Sequence, residues 1–257
     1  LKRLLVGGYE KIFEFSPDFR NEGIDSTHNP EFLQMETMWA YADYKDNMLF
    51  VEEMIRFIAK EIGKVTLTYG NHVIDFGKKW KKLTMVQALK EFAHLDVDRK
   101  TVGDLKKELK KNKILYNRDI SWGNAVALLF EECVEDKLIQ PTIIYDYPIE
   151  TSPLAKVGKD ERFVERFELY INGWEIANSY SELNDPDVLR ENWKKQEKKA
   201  KEGDEEAQRM DYDFLHALDI GMPPASGLGI GIDRLVMILT GSSSIKDGIL
   251  FPFMKPL

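Results

Sequence analysis

The sequence predicts an α+β fold, an antiparallel β-sheet flanked by helices. Three observations carry that expectation. Apolar residues recur with period two in several short runs and with helical period in others. The strand-like runs are joined by hairpin signals at Gly70-Asn71 and Asn172-Gly173, where a parallel sheet would need long crossovers. No internal repeat or low-complexity linker divides the chain, so residues 1–257 read as one domain with a charged helical insertion at 186–213.

The elements follow in order. After the turn at Gly7-Gly8, Ile12, Glu14 and Ser16 alternate with Phe13, Phe15 and Pro17, which predicts a strand. Residues 32–44 predict a second strand, closing an antiparallel hairpin with a long tip. Met48, Val51, Ile55 and Ile58 form one helical stripe that stops at Gly63. A short hairpin around Gly70-Asn71 comes next, then a helix capped by Thr84, a helix from Thr101, and a more apolar, buried helix from Trp122. From Pro141 the period returns to two, through "PTIIYDYPIETSPLAK" and "RFVERFELYINGWEIANSYSELND". A charged helical stretch lies between Pro186 and Gly221, and "PPASGLGIGIDRLVMILTG" reads as a small-residue strand entering an apolar helix.

Composition excludes several classes. The net charge of −8 argues against nucleic acid held by bulk electrostatics. The single Cys133 rules out a disulfide within the chain and suits a reducing compartment, so a cytoplasmic location is expected. Four scattered histidines offer no zinc-ligand spacing, and no apolar run approaches the ~18 residues of a membrane helix.

Three constellations remain. The first is "FRNEGIDSTHNPEF", which sets Arg20, Glu22, His28 and Phe32 around a loop unsuited to core packing. The second is the hairpin at Asn172-Gly173. A two-residue type I′ turn pairs Tyr170 with Glu175 and Glu168 with Ala177, leaving Glu168 and Glu175 diagonal neighbours on one sheet face. Two carboxylates there suit a hard divalent cation such as Mg²⁺ shared with a phosphate, although a solvated outer face would show the same pattern. The third is "SGLGIGIDR": Gly227, Gly229 and Gly231 strip one strand face of side chains, which fits either a flat ligand or close strand-on-helix packing. Ile232 occupies the place of a third glycine, so this is not a dinucleotide fingerprint.

Together and in this order, these motifs resemble class II aminoacyl-tRNA synthetases: "FRNEG…HNPEF" resembles the second signature motif and "GLGIGIDR" the third. "THNPEF", "AYADY", "LIQPT", "YPIETSPLAK", "ANSYSELND" and "FPFMKP" are similar to the catalytic domain of the lysyl-tRNA synthetase family. The resemblance implies ATP, L-lysine and tRNA(Lys) as substrates, Mg²⁺ as cofactor and a homodimer for the full-length family. It implies that Arg20 contacts the α-phosphate and the attacking carboxylate, and that Glu22 reads the adenine amino group. His28 would lie near the outer phosphates, Phe32 would stack on the purine, and Arg234 would cover its other face and reach the γ-phosphate. Glu168 and Glu175 match the Mg²⁺ ligands, with Glu168 also at the nucleotide; Glu36, Asn178 and Glu182 match the lysine pocket.

If Asn178 and Glu175 serve one pocket, strict alternation must break, which predicts a β-bulge near Ala177. The resemblance also has departures. Met38 stands where the family usually has a tyrosine that hydrogen-bonds lysine. The first signature motif, the anticodon-binding barrel and a lysine-contacting glutamate would fall before Leu1. Two rival functions stay open: a related ligase that modifies an elongation-factor lysine, and an inactive binding paralog or fragment.

Overall fold

The computed structural model describes residues 1–21, 23–152, 155–201 and 211–252. The chain opens with α1 (Lys2–Val6), β1 (Lys11–Phe19), β2 (Glu31–Ala40) and α2 (Tyr44–Glu61). A small ribbon, β3 (Thr66–Tyr69) and β4 (His72–Asp75), precedes β5 (Lys81–Thr84), α3 (Met85–Phe92), α4 (Val102–Lys111) and α5 (Trp122–Cys133). Then follow β6 (Thr142–Pro148), β7 (Phe163–Ile171), β8 (Trp174–Ser181), α6 (Pro186–Lys201), α7 (Tyr212–Gly221), β9 (Ala225–Gly231) and α8 (Ile232–Thr240).

Seven strands form one sheet in the order β1-β2-β9-β8-β7-β6-β5, and β3-β4 stand apart as the expected hairpin. The expected antiparallel sheet flanked by helices is present, with one parallel pair at its edge, β5 beside β6. Parallel neighbours need a long crossover, which α3 to α5 supply. The four residues of β5, "KKLT", carry no apolar alternation that could have announced it.

The second strand is also shorter than expected: it ends at Ala40 rather than running to residue 44. Tyr41 takes a left-handed φ of 63°, and Asp43 then caps α2 by accepting from the backbone N–H groups of Lys45 (2.7 Å) and Asp46 (3.2 Å). Of the predicted helical stripe, Met48, Val51 and Ile55 are buried, and Ile58 packs against the same core beneath the sheet. A second core fills the space between α3, α4, α5 and β6–β7, and a third lies among α1, β2, α6 and α7, where Trp193 meets Phe214 edge-on. The described parts of the charged stretch after Pro186 are helical as expected, and Leu189 and Trp193 bury α6 against the body. Among the described residues no helix is long and apolar enough to cross a membrane.

The β7–β8 hairpin turns at Asn172 and Gly173, with φ of 57° and 75°, the two left-handed residues a type I′ turn demands. Tyr170 pairs with Glu175 as expected, but Glu168 lies opposite Asn178 rather than Ala177. The cause is the predicted bulge: pairing slips between Leu169 and Tyr170, leaving Ile176 as the extra residue. The slip turns Asn178 onto the face that carries Glu175 and Glu168.

Candidate active site

One face of the sheet collects almost all of the predicted residues. β9 lies between β2 and β8, with Gly231 opposite Gln34, Gly229 between Glu36 and Asn178, and Gly227 between Met38 and Tyr180. β7 continues the rows with Glu168 beside Asn178 and Arg166 beside Tyr180. The glycine-bare strand therefore runs down the middle of a face whose flanks carry the charged groups. Since residues of even separation share a face, Phe32, Gln34, Glu36 and Met38 all line it from β2.

At the end nearest the β1–β2 tip, the Arg20 guanidinium carbon lies 5.3 Å from the Phe32 ring centroid. The tip is self-organised around Asp25. One carboxylate oxygen accepts from the N–H groups of Thr27 (2.7 Å) and His28 (2.8 Å), and the other pairs with His28 Nδ1 at 2.8 Å. His28 Nε2 lies 2.8 Å from Arg234 Nη2. A guanidinium only donates, so Nε2 accepts and Nδ1 carries the proton given to Asp25. Arg234, in the first turn of α8, also donates to the carbonyls of Glu175 (3.0 Å) and Thr27 (3.3 Å), tying tip, helix and bulge together. Arg20, His28, Phe32, Glu175, Asn178 and Arg234 line one cavity of about 270 Å³. Glu22 lies outside the described residues.

The two predicted metal carboxylates converge as well. Glu175 is half-buried, and desolvation together with the Glu168 charge pushes its pKa up to about 7, against the pull of Arg166, Arg234 and Arg20. Asn178 Nδ2 sits between them, 3.3 Å from an oxygen of each. Glu168 is buried among the hydroxyls of Tyr147 (2.7 Å) and Tyr170 (2.5 Å) and pairs with Arg166, whose Nε donates to Asn178 Oδ1 at 3.1 Å. Asn178, expected in the lysine pocket, thus touches the carboxylate pair. Among the described residues no set of three or more His, Cys, Asp or Glu side chains converges as a metal cage. The two carboxylates are hard oxygen donors brought to one place, while the Asn178 amide oxygen is taken by Arg166. The carboxylates fit a Mg²⁺ ion that takes its remaining ligands from phosphate and water.

The other end of the face holds Glu182, only 3 % exposed. Its Oε2 pairs with Lys2 Nζ at 2.6 Å, and its Oε1 is buried with no hydrogen-bond partner among the described residues. A Cβ placed on Gly227 would stand 2.6 Å from that Oε1 and 2.8 Å from Met38 Cε, so the glycine, the methionine and the orphaned oxygen meet at one point. Burial raises the Glu182 pKa and Lys2 opposes it, while the Glu36 charge raises it further. Glu36 itself is exposed and accepts from Gln34 Nε2 at 3.1 Å. Glu168 lines a neighbouring cavity that shares Arg166 and Glu175 with the first, and Glu182 lines another.

Sequence reasoning missed Lys2, Gln34, Arg166, Tyr147 and Tyr170. Arg166 and Tyr170 stand two residues either side of Glu168, so strand alternation alone placed them on its face. Gln34 follows by the same rule from Phe32. Lys2 left no local signal, because its partner is 180 positions away (182 − 2).

A family model for tRNA synthetases class II (D, K and N) matches residues 1–255. The chain is 53% identical over 258 residues to lysine–tRNA ligase 2 of Methanosarcina mazei, covering 99% of this chain and 50% of that protein. It is 50% identical to the lysine–tRNA ligase of Clostridium novyi (100% of this chain, 51% of that protein). Against that of Pelotomaculum thermopropionicum the identity is 51% (100% and 52%). The chain spans about half the length of the curated relatives it matches. With its motif order, its glycine-bare central strand and a match from end to end, the chain belongs to the class II tRNA synthetases (D, K and N).

Proposed function

We propose that this protein is a lysine–tRNA ligase, which activates L-lysine with ATP and passes it to the 3′ end of tRNA(Lys). The observation that carries the reading is the single sheet face on which a strand without side chains separates two groups. Arg20, Phe32 and Arg234 lie at one end, and the unpartnered oxygen of Glu182 at the other. The nucleotide lies over the glycines, between Phe32 and Arg234, and lysine extends toward Glu182.

In the first step an oxygen of the lysine carboxylate attacks the α-phosphorus, and the bond to the bridging oxygen breaks to release pyrophosphate. The attacking group is already ionised, so no general base is required. Arg20 presents a planar fork that spans two oxygens, one on the carboxylate and one on the α-phosphate, where charge develops. Arg234 holds the nucleotide against Phe32 and stacks on the purine. Glu168 and Glu175 would hold Mg²⁺, which supplies neutralisation of the phosphate charge. In the second step a ribose hydroxyl of the tRNA end attacks the lysyl carbonyl and AMP leaves. Rate comes from positioning and charge complementarity rather than from a covalent enzyme intermediate.

Selection follows from a buried carboxylate with one oxygen left unsatisfied. The substrate ammonium gives Glu182 Oε1 the donor it lacks, whereas an uncharged amino acid leaves that oxygen buried and unsatisfied. The test is transfer of labelled lysine to two acceptors, tRNA(Lys) and an elongation-factor protein. Label on the tRNA is expected. Label on the protein lysine instead would replace this reading with that of the modifying ligase, and label on neither would support the inactive paralog.

A further inference from the structure

We infer that Lys2 is a positioning residue of the amino-acid pocket: its ammonium anchors one oxygen of Glu182 so that the other is presented to the substrate's ammonium. The inference rests on the lysine-activating reading above and adds to it a residue that no motif pointed to.

The geometry is specific. Lys2 Nζ lies 2.6 Å from Glu182 Oε2, and it stands 5.4 Å from the Tyr180 ring centroid and 5.7 Å from that of Phe214. Two aromatic rings and a carboxylate thus flank one ammonium, on a side chain that is 31 % exposed. The helix that carries Lys2 is fixed in place: Leu5 is 2 % exposed in the core shared with α6 and α7, and Arg3 pairs with Asp211 at 3.1 Å and Asp213 at 2.7 Å. Lys2 therefore reaches Oε2 from α1, while Oε1 lies beside Gly227 and Met38. Its ammonium and a substrate ammonium can share one carboxylate without sharing one oxygen.

Charge balance supports the same assignment. A carboxylate as buried as Glu182 takes up a proton unless a counter-ion holds it ionised. The charged and titratable groups around it are Lys2 from α1, Glu36 from β2 and Tyr180 from its own strand, with Asp43, Asp46 and Lys156 lining the adjoining cavity. Of these, Lys2 is the cation in direct contact. Remove it, and Glu182 faces the Glu36 charge without compensation and binds a proton, losing its attraction for a cationic substrate.

The experiment compares Lys2→Met and Lys2→Arg with the unaltered protein. Lysine and ATP KM values come from ATP–pyrophosphate exchange between about pH 6 and pH 9. The Glu182 carboxyl titration comes from carbon-13 NMR. Lys2→Met should raise the lysine KM by about tenfold to a hundredfold with the ATP KM unchanged. The loss should deepen as pH falls, with the Glu182 titration moved upward, and Lys2→Arg should recover most of the affinity. A lysine KM unchanged at every pH would overturn the inference. So would a lowered KM, which would make Lys2 a competing occupant of the pocket. If the unaltered protein shows no lysine-dependent exchange, the functional reading fails on its own, and the NMR titration then decides: an unmoved Glu182 in Lys2→Met overturns the clamp.

Discussion

Gly227→Ala is the sharpest perturbation of the amino-acid pocket. The added Cβ would stand 2.6 Å from Glu182 Oε1, short of ordinary contact at 3.4 Å by 0.8 Å (3.4 − 2.6). The second neighbour, Met38 Cε at 2.8 Å, is the tip of a flexible side chain and can swing away. Glu182 cannot move freely, because it is 3 % exposed and its other oxygen is held by Lys2. The methyl therefore displaces the oxygen that receives the substrate ammonium. A hydrogen bond to a charged group contributes about 1.5–3 kcal/mol, so the lysine KM should rise roughly ten- to 150-fold. Overpacking should cost the fold about 1–3 kcal/mol. Gly229→Ala is the control: there the Cβ meets Gln34 Nε2, at 2.9 Å, again a movable tip, and it fills the nucleotide cavity instead. It should raise the ATP KM and leave the lysine KM within about threefold. Exchange kinetics with each substrate varied in turn separate the two, and thermal midpoints confirm folding. A Gly227→Ala protein with an unchanged lysine KM would refute the placement of lysine on this face.

Other outcomes follow from the same structure. Arg20→Lys exchanges a planar fork for a point charge beside Phe32 and should lower kcat about 10²- to 10³-fold in single-turnover adenylate formation. Thr84→Ala removes the hydroxyl that accepts from Gln87 N–H at 3.1 Å at the start of α3, at a cost of about 1 kcal/mol, and should lower Tm by about 2–4 °C with activity intact at low temperature. Burial pushes Glu135, bonded to the Tyr170 hydroxyl, from an ordinary 4.5 up to about 7. The folded state then keeps a proton that the unfolded chain has already lost, so this group makes stability fall as pH rises from 4.5 to 7. In urea titrations across that window Glu135→Gln should flatten the decline, and a slope equal to the parent's would contradict the assignment.

Much of this molecule was legible from period and punctuation. Asn172-Gly173 fixed both the turn type and the Tyr170–Glu175 pair, and the need to bring Asn178 beside Glu175 implied the bulge, which falls at Ile176. The alternation of Gly227, Gly229 and Gly231 located the bare face, because residues two apart on a strand share a side. What escaped was non-local. Strand β5 has four residues with no alternation and is placed by its neighbour β6, so its parallel pairing had no local cause. The end of β2 at Ala40 was hidden because Trp39, Tyr41 and Tyr44 look alike to a strand pattern, while Asp43 as a cap decides the matter. Lys2 was unreadable for the same reason: a lysine in a five-residue helix gives no hint that a distant carboxylate waits for it.

The central claim is that this sheet face activates lysine, and amino-acid-dependent ATP–pyrophosphate exchange tests it most directly. Run with Mg²⁺ and each amino acid in turn, the protein should exchange label with lysine and with no uncharged amino acid. Exchange driven by another amino acid, or none with lysine although ATP binds, would contradict the account.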